Sequence, residues 1–228
     1  MQKKNINLLK LAPLELLVAA VLFMASVFAF SFIVHEALFE REDEFDLKVI
    51  HYFSAHSWPS LITWMERVTF FGSSTFLLPA YLVLTGFYLF KKNYRYVSDI
   101  AVIGISSTAI MFALKKIFHR HRPDMPILKG ISGYSFPSGH SLSSFIFATI
   151  LLYLLWQESR LPKGWKFILT AIFVLYPIIV GLSRIILNVH YATDVIGGFC
   201  LGTAWVIAIF FLMKKIRQLF EAKRHEPI

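Results

Sequence analysis

The 228-residue sequence has a single cysteine and few charged residues. Cys200 can form no disulfide within the chain, and it lies in an apolar run where a small buried hydrophobic side chain fits. Charged residues make up only 16% of the chain, whereas 57% of the residues are hydrophobic and 16% are aromatic. With a mean hydropathy of +0.61, this composition excludes an ordinary soluble domain and indicates a membrane protein.

The sequence also has no internal repeat, low-complexity tract or second domain, so residues 1–228 are predicted to form one integral-membrane domain. The formal net charge of +9 does not indicate a nucleic-acid partner. Lysines and arginines stand in short clusters beside apolar runs, as membrane topology would place them, and no soluble basic domain contains them.

Six apolar runs approach the roughly 20 residues that a membrane-spanning helix needs. They predict an all-α bundle of six transmembrane helices, at residues 14–34, 70–90, 97–114, 138–156, 167–187 and 195–213. The first run follows three lysines, as a signal peptide would, but its length and the lack of a clean cleavage site favour an anchor. In the last run, the spacing of Gly198 and Gly202 suits close helix packing within the bundle.

The distribution of cations predicts the orientation of the bundle. The N-terminus, the loops at 91–95 and 158–166 and the tail from Lys214 together hold 14 of the 23 lysines and arginines. Both termini are therefore expected to be cytoplasmic. The opposite, extracytoplasmic side receives residues 35–69, which contain seven acidic residues among aromatic ones. We interpret this segment either as one or two amphipathic helices at the interface or as a solvated connector with aromatic anchors.

Three polar loops meet on the extracytoplasmic side and predict an anion site. Ser138, Gly139 and His140 should form the first turn of a helix, where free N–H groups and the helix dipole favour a negative charge. Three cations lie in the same or matching loops and would supply fixed positive charge suited to a phosphoryl group. They are Lys115, Arg122 and Arg184.

Two histidines and one aspartate near the predicted anion site have side chains suited to catalysis. If the last span is helical at its start, His190 and Asp194 share a face, and the carboxylate can orient one imidazole nitrogen while the other stays basic. His190 then suits a nucleophile, and His140 suits the acid that protonates the leaving oxygen. We interpret residues 119–121 as lip residues rather than catalytic ones.

Each element also has a plainer interpretation. Lys115 could snorkel, Arg122 and Arg184 could form structural ion pairs, and the PSGH stretch could be only a capped helix start. His190 and Asp194 could ligate a metal, but no cluster of further carboxylates or cysteines stands nearby to complete such a site. The convergence of all these residues on one face favours the anion site.

Three motifs carry a resemblance to a known family. Residues 115–123 fit K-x6-R-P, residues 137–140 read P-S-G-H, and residues 183–194 fit S-R-x5-H-x3-D. In this order and spacing they resemble the signature of the type 2 phosphatidic acid phosphatase superfamily. The motif core covers 115–194, and the six-span layout extends the resemblance over nearly the whole chain.

The resemblance implies a lipid phosphatase in which His190 forms a phosphohistidine, Asp194 orients it and His140 donates a proton to the departing alcohol. Phosphate-binding positions would be Lys115, Arg122, Ser138, Gly139 and Arg184. It implies no metal and no other cofactor, and no obligatory protein partner is expected. The cell location that fits is a bacterial cytoplasmic membrane, with the active site outside.

The motifs recognise a phosphate and do not distinguish the lipid tail. Phosphatidylglycerol phosphate, phosphatidate, undecaprenyl pyrophosphate and a phosphorylated lipid A are all compatible substrates. Two other classes remain open. A lipid-phosphate carrier or flippase would use the same cationic pocket, but it has no need of His190 and Asp194. A scaffold of the same fold without activity is disfavoured by the intact motifs.

Overall fold

The computed structural model describes residues 13–40 and 44–224, and all the regular elements within these ranges are helices. They are α1 (Pro13–Val34), a π-helical turn (His35–Glu40), α2 (Glu44–His56), α3 (Pro59–Phe70), α4 (Ser74–Phe90), α5 (Tyr94–Phe118), α6 (Gly139–Gln157), α7 (Lys163–Ile186) and α8 (Ala192–Arg224). Six helical stretches are long and apolar enough to cross a membrane. The predicted all-α, six-span architecture is therefore confirmed.

The predicted boundaries of the spans are less accurate than their number. The second stretch runs from Pro59 to Phe90 and includes both α3 and α4, whereas the apolar run predicted a start at residue 70. Helix α8 continues to Arg224 instead of ending near residue 213. Hydropathy detects only the apolar part of a helix, and backbone hydrogen bonding continues through polar residues at its ends.

The acidic segment after α1 forms two helices, α2 and α3, so its helical interpretation is confirmed, whereas α3 belongs to the second apolar stretch rather than to a separate interface segment. Its outer side is exposed at Trp58 and Trp64. Its inner side is not a solvated connector, because Val49 and Phe53 pack against a buried cluster formed by α7 and α8. Helix α2 therefore covers the ends of the two helices that carry the third motif.

Helix α6 lies at the centre of the bundle. A core of buried side chains joins it to α5 and α8, with Ile103, Leu142 and Ile146 almost fully buried. A Cβ atom on Gly202 would come within 2.7 Å of Phe145, and one on Gly198 within 3.1 Å of the carbonyl oxygen of Ser138. The predicted use of these two glycines, close packing within the bundle, is confirmed.

The end of the bundle far from the three motifs contains a buried charged residue. Asp99 of α5 is 1% exposed and pairs with Arg217 of α8, and it accepts a hydrogen bond of 3.0 Å from the hydroxyl of Tyr153 of α6. A carboxylate within a spanning helix needs such partners, because lipid and packed side chains offer it no water.

Four helix ends meet at the other end of the bundle. Helix α5 stops at His119, which takes the left-handed backbone conformation with φ of 50°, and the loop 119–138 leads into α6. Helix α7 ends at Ile186, and five residues separate it from Ala192, where α8 begins. The ends of α5 and α7 and the starts of α6 and α8 thus bring the three sequence motifs together.

Candidate active site

Lys115 and Arg122 are held by main-chain carbonyl groups of the loop segment 132–135. Nζ of Lys115 donates to two of these carbonyl oxygens, at 2.6 and 3.3 Å, so the lysine turns toward the loop rather than snorkelling. The guanidinium of Arg122 donates from Nε to the carbonyl of Gly133 at 3.0 Å and from Nη2 to two more carbonyls. The two cations lie within electrostatic range of each other and of Arg184.

Arg184, near the end of α7, is buried beside α3. Its Nη1 donates to the hydroxyl of Thr69 at 2.5 Å, and the residue is 3% exposed. Within the described part of the chain, its Nε is buried and has no hydrogen-bond partner. A buried guanidinium donor without an acceptor is costly, and an oxygen atom of a bound anion is the kind of acceptor that would satisfy it.

The start of α6 matches the predicted helix entrance but assigns Ser138 a different task. Ser138 is the N-cap, and its hydroxyl accepts from the N–H and the hydroxyl of Ser141. The N–H of Ser138 is also engaged, donating to the carbonyl of Asp194 at 3.0 Å. Gly139 and His140 occupy the first two helical positions, where N–H groups have no intrahelical acceptor. These two amides, rather than the amide of Ser138, are placed to bind an anion.

His190 and Asp194 are in contact, although only Asp194 belongs to helix α8. Nδ1 of His190 lies 3.2 Å from Oδ2 of Asp194, and the two side chains are 2% and 0% exposed. Helix α8 begins only at Ala192, so the premise of a shared helical face is wrong. His190 belongs to the preceding turn, and the turn itself places the imidazole over the first turn of α8.

Further donors fix the carboxylate of Asp194. Its Oδ2 accepts from the hydroxyl of Ser135 and, at 2.9 Å, from the N–H of Tyr191. The Ser135 hydroxyl also lies 3.2 Å from Nδ1 of His190. A carboxylate with this many donors stays ionised and keeps a fixed direction.

The contacts of His190 determine its tautomer. Nη1 of Arg122 lies 3.1 Å from Nε2 of His190, and because a guanidinium only donates, Nε2 must carry the lone pair. Nδ1 then carries the proton and donates to Asp194. Burial lowers the pKa of His190 to about 4, even though Asp194 opposes this shift. The imidazole is therefore neutral at physiological pH.

Arg122 remains charged beside this imidazole. Burial lowers the pKa of the Arg122 guanidinium, and the charge of Asp194 partly offsets this effect. An arginine side chain keeps its proton in proteins even after such a shift. The neutral imidazole therefore lies next to a fixed positive charge.

His140 lies in the first turn of α6, half-buried, and packs against the turn between α3 and α4. A Cβ atom on Gly72 would come within 3.1 Å of Cδ2 of His140 and within 2.5 Å of Val180. Only glycine leaves room for the imidazole at this point. His140 is within electrostatic range of Arg184 and His190, so the structure brings together all eight residues that the sequence singled out.

The sequence interpretation missed Arg120, Asp46 and Ser135. Arg120 was assigned to the lip of the site, and this is wrong: the side chain is 7% exposed and pairs with both Asp194 and Asp46, at 2.8 Å each. Its neighbours His119 and His121 are exposed, as lip residues would be. Nothing in the run of basic residues distinguishes the buried one, and the acidic segment gives no signal that Asp46 points inward.

The site suits an anion better than a metal ion. Among the side chains that the structure describes, at 14–37 and 44–221, no group of three or more His, Cys, Asp and Glu is placed to hold a metal ion. Both nitrogens of His190 already have partners, and the guanidinium of Arg122 beside Nε2 would repel a cation. Three buried or half-buried cations and two helix-start amides instead supply positive charge and hydrogen-bond donors, which suit an anion.

Comparisons with known proteins agree with this geometry. The family profile described as "PAP2 superfamily" matches residues 96–218. The chain is 33% identical over 151 residues to phosphatidylglycerophosphatase B of Bacillus subtilis. This alignment covers 66% of this chain and 72% of that protein. The crystal structure of a transmembrane PAP2-type phosphatidylglycerolphosphate phosphatase from Bacillus subtilis superposes with a TM-score of 0.73 at 27% identity, covering 87% of this chain and 96% of that one.

Two weaker similarities involve one further protein sequence and one further crystal structure. The chain is 29% identical over 133 residues to dolichyldiphosphatase 1 of Dictyostelium discoideum, covering 55% of this chain and 57% of that protein. The crystal structure of LpxE from Aquifex aeolicus matches with a TM-score of 0.57 at 24% identity, over 72% of this chain and 94% of that one. This second structure shows a shared fold only.

Proposed function

Since the chain belongs to the PAP2 superfamily, we propose that it is a membrane lipid phosphatase that acts through a phosphohistidine at the extracytoplasmic face. The family relatives indicate a phosphatase with lipid substrates, and the six apolar helices indicate an integral membrane protein. The mechanism, the side of the membrane and the residue roles belong to the proposal.

The observation that carries the proposal is the environment of His190. Its Nδ1–H is directed to Asp194, and its Nε2 lone pair lies beside Arg122. A neutral imidazole with one nitrogen oriented by a carboxylate and the other next to a phosphate-binding cation has the arrangement of an activated nucleophile. Asp194 would also stabilise the positive charge that develops on the ring during attack.

The remaining residues would divide the other tasks. Lys115, Arg122 and Arg184 would hold the phosphate oxygens, helped by the amides of Gly139 and His140. As Nε2 of His190 forms its bond to phosphorus, the bond from phosphorus to the lipid oxygen breaks, and the His140 imidazole would supply a proton to that oxygen. Water would then hydrolyse the phosphohistidine and release phosphate.

The substrate class follows from where the site lies. The cations are at the ends of spanning helices, so a phosphate headgroup could enter from the aqueous side while its tail stays among lipids. The names of the relatives cover a glycerophospholipid phosphate and a polyprenyl diphosphate. Either headgroup presents a terminal phosphoryl group, and this group is what we propose the site recognises.

A release assay in proteoliposomes tests the proposal. Purified wild type and His190→Ala would be reconstituted with phosphatidylglycerol phosphate, phosphatidate, undecaprenyl pyrophosphate or a phosphorylated lipid A, and free phosphate measured. We expect release by the wild type from at least one lipid and none by His190→Ala. Transfer of a labelled lipid phosphate between leaflets without phosphate release would instead indicate a carrier.

A further inference from the structure

Helix α2 places a buried carboxylate behind the candidate active site. Asp46 is 1% exposed, although it lies in the most acidic part of the sequence. Its Oδ2 accepts from Nη2 of Arg120 at 2.8 Å and from the hydroxyl of Thr193, and its Oδ1 accepts from the N–H of Thr193 at 2.9 Å. All these partners belong to the catalytic end of the bundle.

Arg120 connects this carboxylate to the one that orients His190. Its Nη1 donates to Oδ1 of Asp194 at 2.8 Å and to the hydroxyl of Thr193 at 2.7 Å. The guanidinium also lies over the ring of Tyr191, 4.2 Å from its centroid. The buried guanidinium of Arg120 therefore bridges two buried carboxylates. Loss of the contact with Asp46 would change the electrostatic environment of Asp194.

Asp46 also caps helix α8 from outside that helix. Thr193 is the second residue of α8, a position whose N–H has no acceptor within the helix. The carboxylate of Asp46 satisfies this N–H in the way an N-cap side chain would, and its negative charge is favourable beside the start of the helix. Asp194 is the next residue, so the cap fixes the backbone that carries the catalytic carboxylate.

We propose that Asp46 is a positioning residue, which holds Arg120 and the first turn of α8 so that Asp194 keeps its hydrogen bond to Nδ1 of His190. The inference rests on the proposed function of His190. It gives α2 a role in catalysis, because the helix completes the chain of contacts from Asp46 through Arg120 to Asp194.

The charges explain why replacing Asp46 with a neutral asparagine should lower the rate of catalysis. Burial lowers the pKa of Arg120, but the carboxylates of Asp194 and Asp46 more than offset this and leave the pKa raised. If Asp46 becomes neutral, Arg120 loses one of its two described carboxylate partners and is drawn more strongly to Asp194. Asp194 is then a weaker acceptor for the histidine, and the positive ring that forms during attack is less well stabilised.

The experiment compares Asp46→Asn with a matched control on the same helix. Glu44→Gln also removes one negative charge from α2, but the Glu44 side chain is 81% exposed and pairs only with Lys48 among described charged groups. Phosphate release by wild type, both variants, Arg120→Gln and the Asp46→Asn/Arg120→Gln double variant would be measured, together with inhibition by inorganic phosphate.

We expect Asp46→Asn to lower kcat by roughly 10- to 100-fold, the scale typical of groups that orient a directly acting residue. KM and phosphate inhibition should stay close to wild type, because the phosphate-binding cations are untouched. Glu44→Gln should behave as wild type. In the Arg120→Gln background, Asp46→Asn should cause little further loss, because both act through the same contact.

Several outcomes would overturn the inference. They are a normal kcat in Asp46→Asn, a loss confined to KM, or losses that multiply independently in the double variant. If Asp46→Asn does not fold, Thr193→Val removes the hydroxyl bonds to Asp46 and Arg120 without changing charge, and an unaltered kcat there would also overturn it. If the wild type hydrolyses none of the lipid phosphates, the proposed function is wrong. If the wild type and Asp46→Asn are equally active, the proposed function stands and only the inference about Asp46 is wrong.

Discussion

Nη1 of Arg122 lies 3.1 Å from Nε2 of His190, so a candidate phosphate-binding cation touches the candidate nucleophile. The same Nη1 donates to the carbonyl of Val189 at 2.7 Å, which keeps the guanidinium in place next to the imidazole. A phosphate oxygen bound to Arg122 would bring phosphorus close to the Nε2 lone pair. In the proposed mechanism, Arg122 would therefore both hold the substrate and align it for attack.

The first prediction concerns the covalent intermediate. His190→Ala should abolish turnover and the acid-labile phosphoenzyme, while binding of a phosphate analogue largely persists because Lys115, Arg122 and Arg184 remain. Asp194→Asn should lower kcat by on the order of 10⁴-fold without emptying the pocket, because the ring loses its orienting carboxylate. Rapid quenching in base with labelled substrate preserves and measures the phosphoenzyme, and acid treatment of the quenched protein should release the label. Label still attached to the His190→Ala protein would place the nucleophile elsewhere.

The second prediction concerns metal ions. Three cations neutralise the phosphate in the proposed site, so catalysis should not need a divalent ion to do so. Phosphate release should therefore persist in excess EDTA, with a magnesium-dependent phosphatase as the positive control for chelation. Loss of activity in EDTA, with recovery on adding one divalent ion, would support the reading of His190 and Asp194 as metal ligands.

The sequence predicted contacts between residues close together along the chain better than contacts between residues far apart along it. Local rules found the start of α6 at 138–140 and the contact of Asp194 with His190, although Ser138 is the N-cap and His190 precedes α8. The contact of Asp46 with Arg120 joins positions 74 residues apart. No periodicity or spacing encodes such a contact, and burial of an acidic residue in an acidic segment can be seen only once α2 is packed.

The same reasoning explains the error at Arg120. Three consecutive positions, 119–121, are basic, and α5 ends among them in a left-handed turn at His119. This turn directs the middle side chain inward while its neighbours remain exposed. A sequence rule for helix ends predicts that the helix stops near a proline, but it does not predict which side chain the final turn buries.

The third prediction concerns acid stability. The pKa of His190 is about 4 in the folded protein, because burial disfavours the charged ring, whereas an unfolded histidine has a pKa of about 6.5. Between these values the unfolded chain binds a proton that the folded one does not. This histidine therefore destabilises the fold as pH falls from about 6.5 to 4, by about 3 kcal/mol at the lower end, and contributes nothing above this window.

Thermal unfolding of the detergent-solubilised protein would measure this effect. His190→Gln removes the titrating ring but leaves the other histidines, so their contributions cancel in the comparison. We expect the wild type to lose stability relative to His190→Gln on acidification through this window. A difference between the two proteins that stays constant from pH 7.5 to pH 4 would contradict a buried, neutral His190.

The fourth prediction concerns sidedness and follows from the 14 cations on the predicted cytoplasmic loops. Single cysteines would replace Lys129, in the loop beside the site, or Lys92, between α4 and α5; both positions are exposed. The background would carry Cys200→Ala. In intact cells, a membrane-impermeant thiol reagent should label the cysteine at 129 and reach that at 92 only after permeabilisation. The reverse pattern would overturn the topology.

The last prediction concerns His140 and uses the leaving group as the probe. A general acid helps most when the leaving group departs poorly unaided. An alkyl lipid phosphate expels a strongly basic alkoxide, whereas p-nitrophenyl phosphate expels a weakly basic phenolate that needs little protonation. His140→Asn should therefore slow hydrolysis of the lipid monoester by on the order of 10² to 10⁴, and that of the aryl ester far less.

If His140 instead bound the phosphate, His140→Asn would change the two hydrolysis rates in a different way. Comparing the two substrates therefore distinguishes a proton donor from a binding group. Loss of a phosphate contact would slow both substrates alike and weaken inhibition by inorganic phosphate, because both esters present the same phosphoryl group to the site. Rates at saturation and phosphate inhibition would be measured for wild type, His140→Asn and Arg184→Lys, the last as a variant altered in a proposed phosphate-binding residue. If His140→Asn behaves like Arg184→Lys on the two esters, the imidazole that packs against Gly72 is a binding group, and the proton must come from another donor.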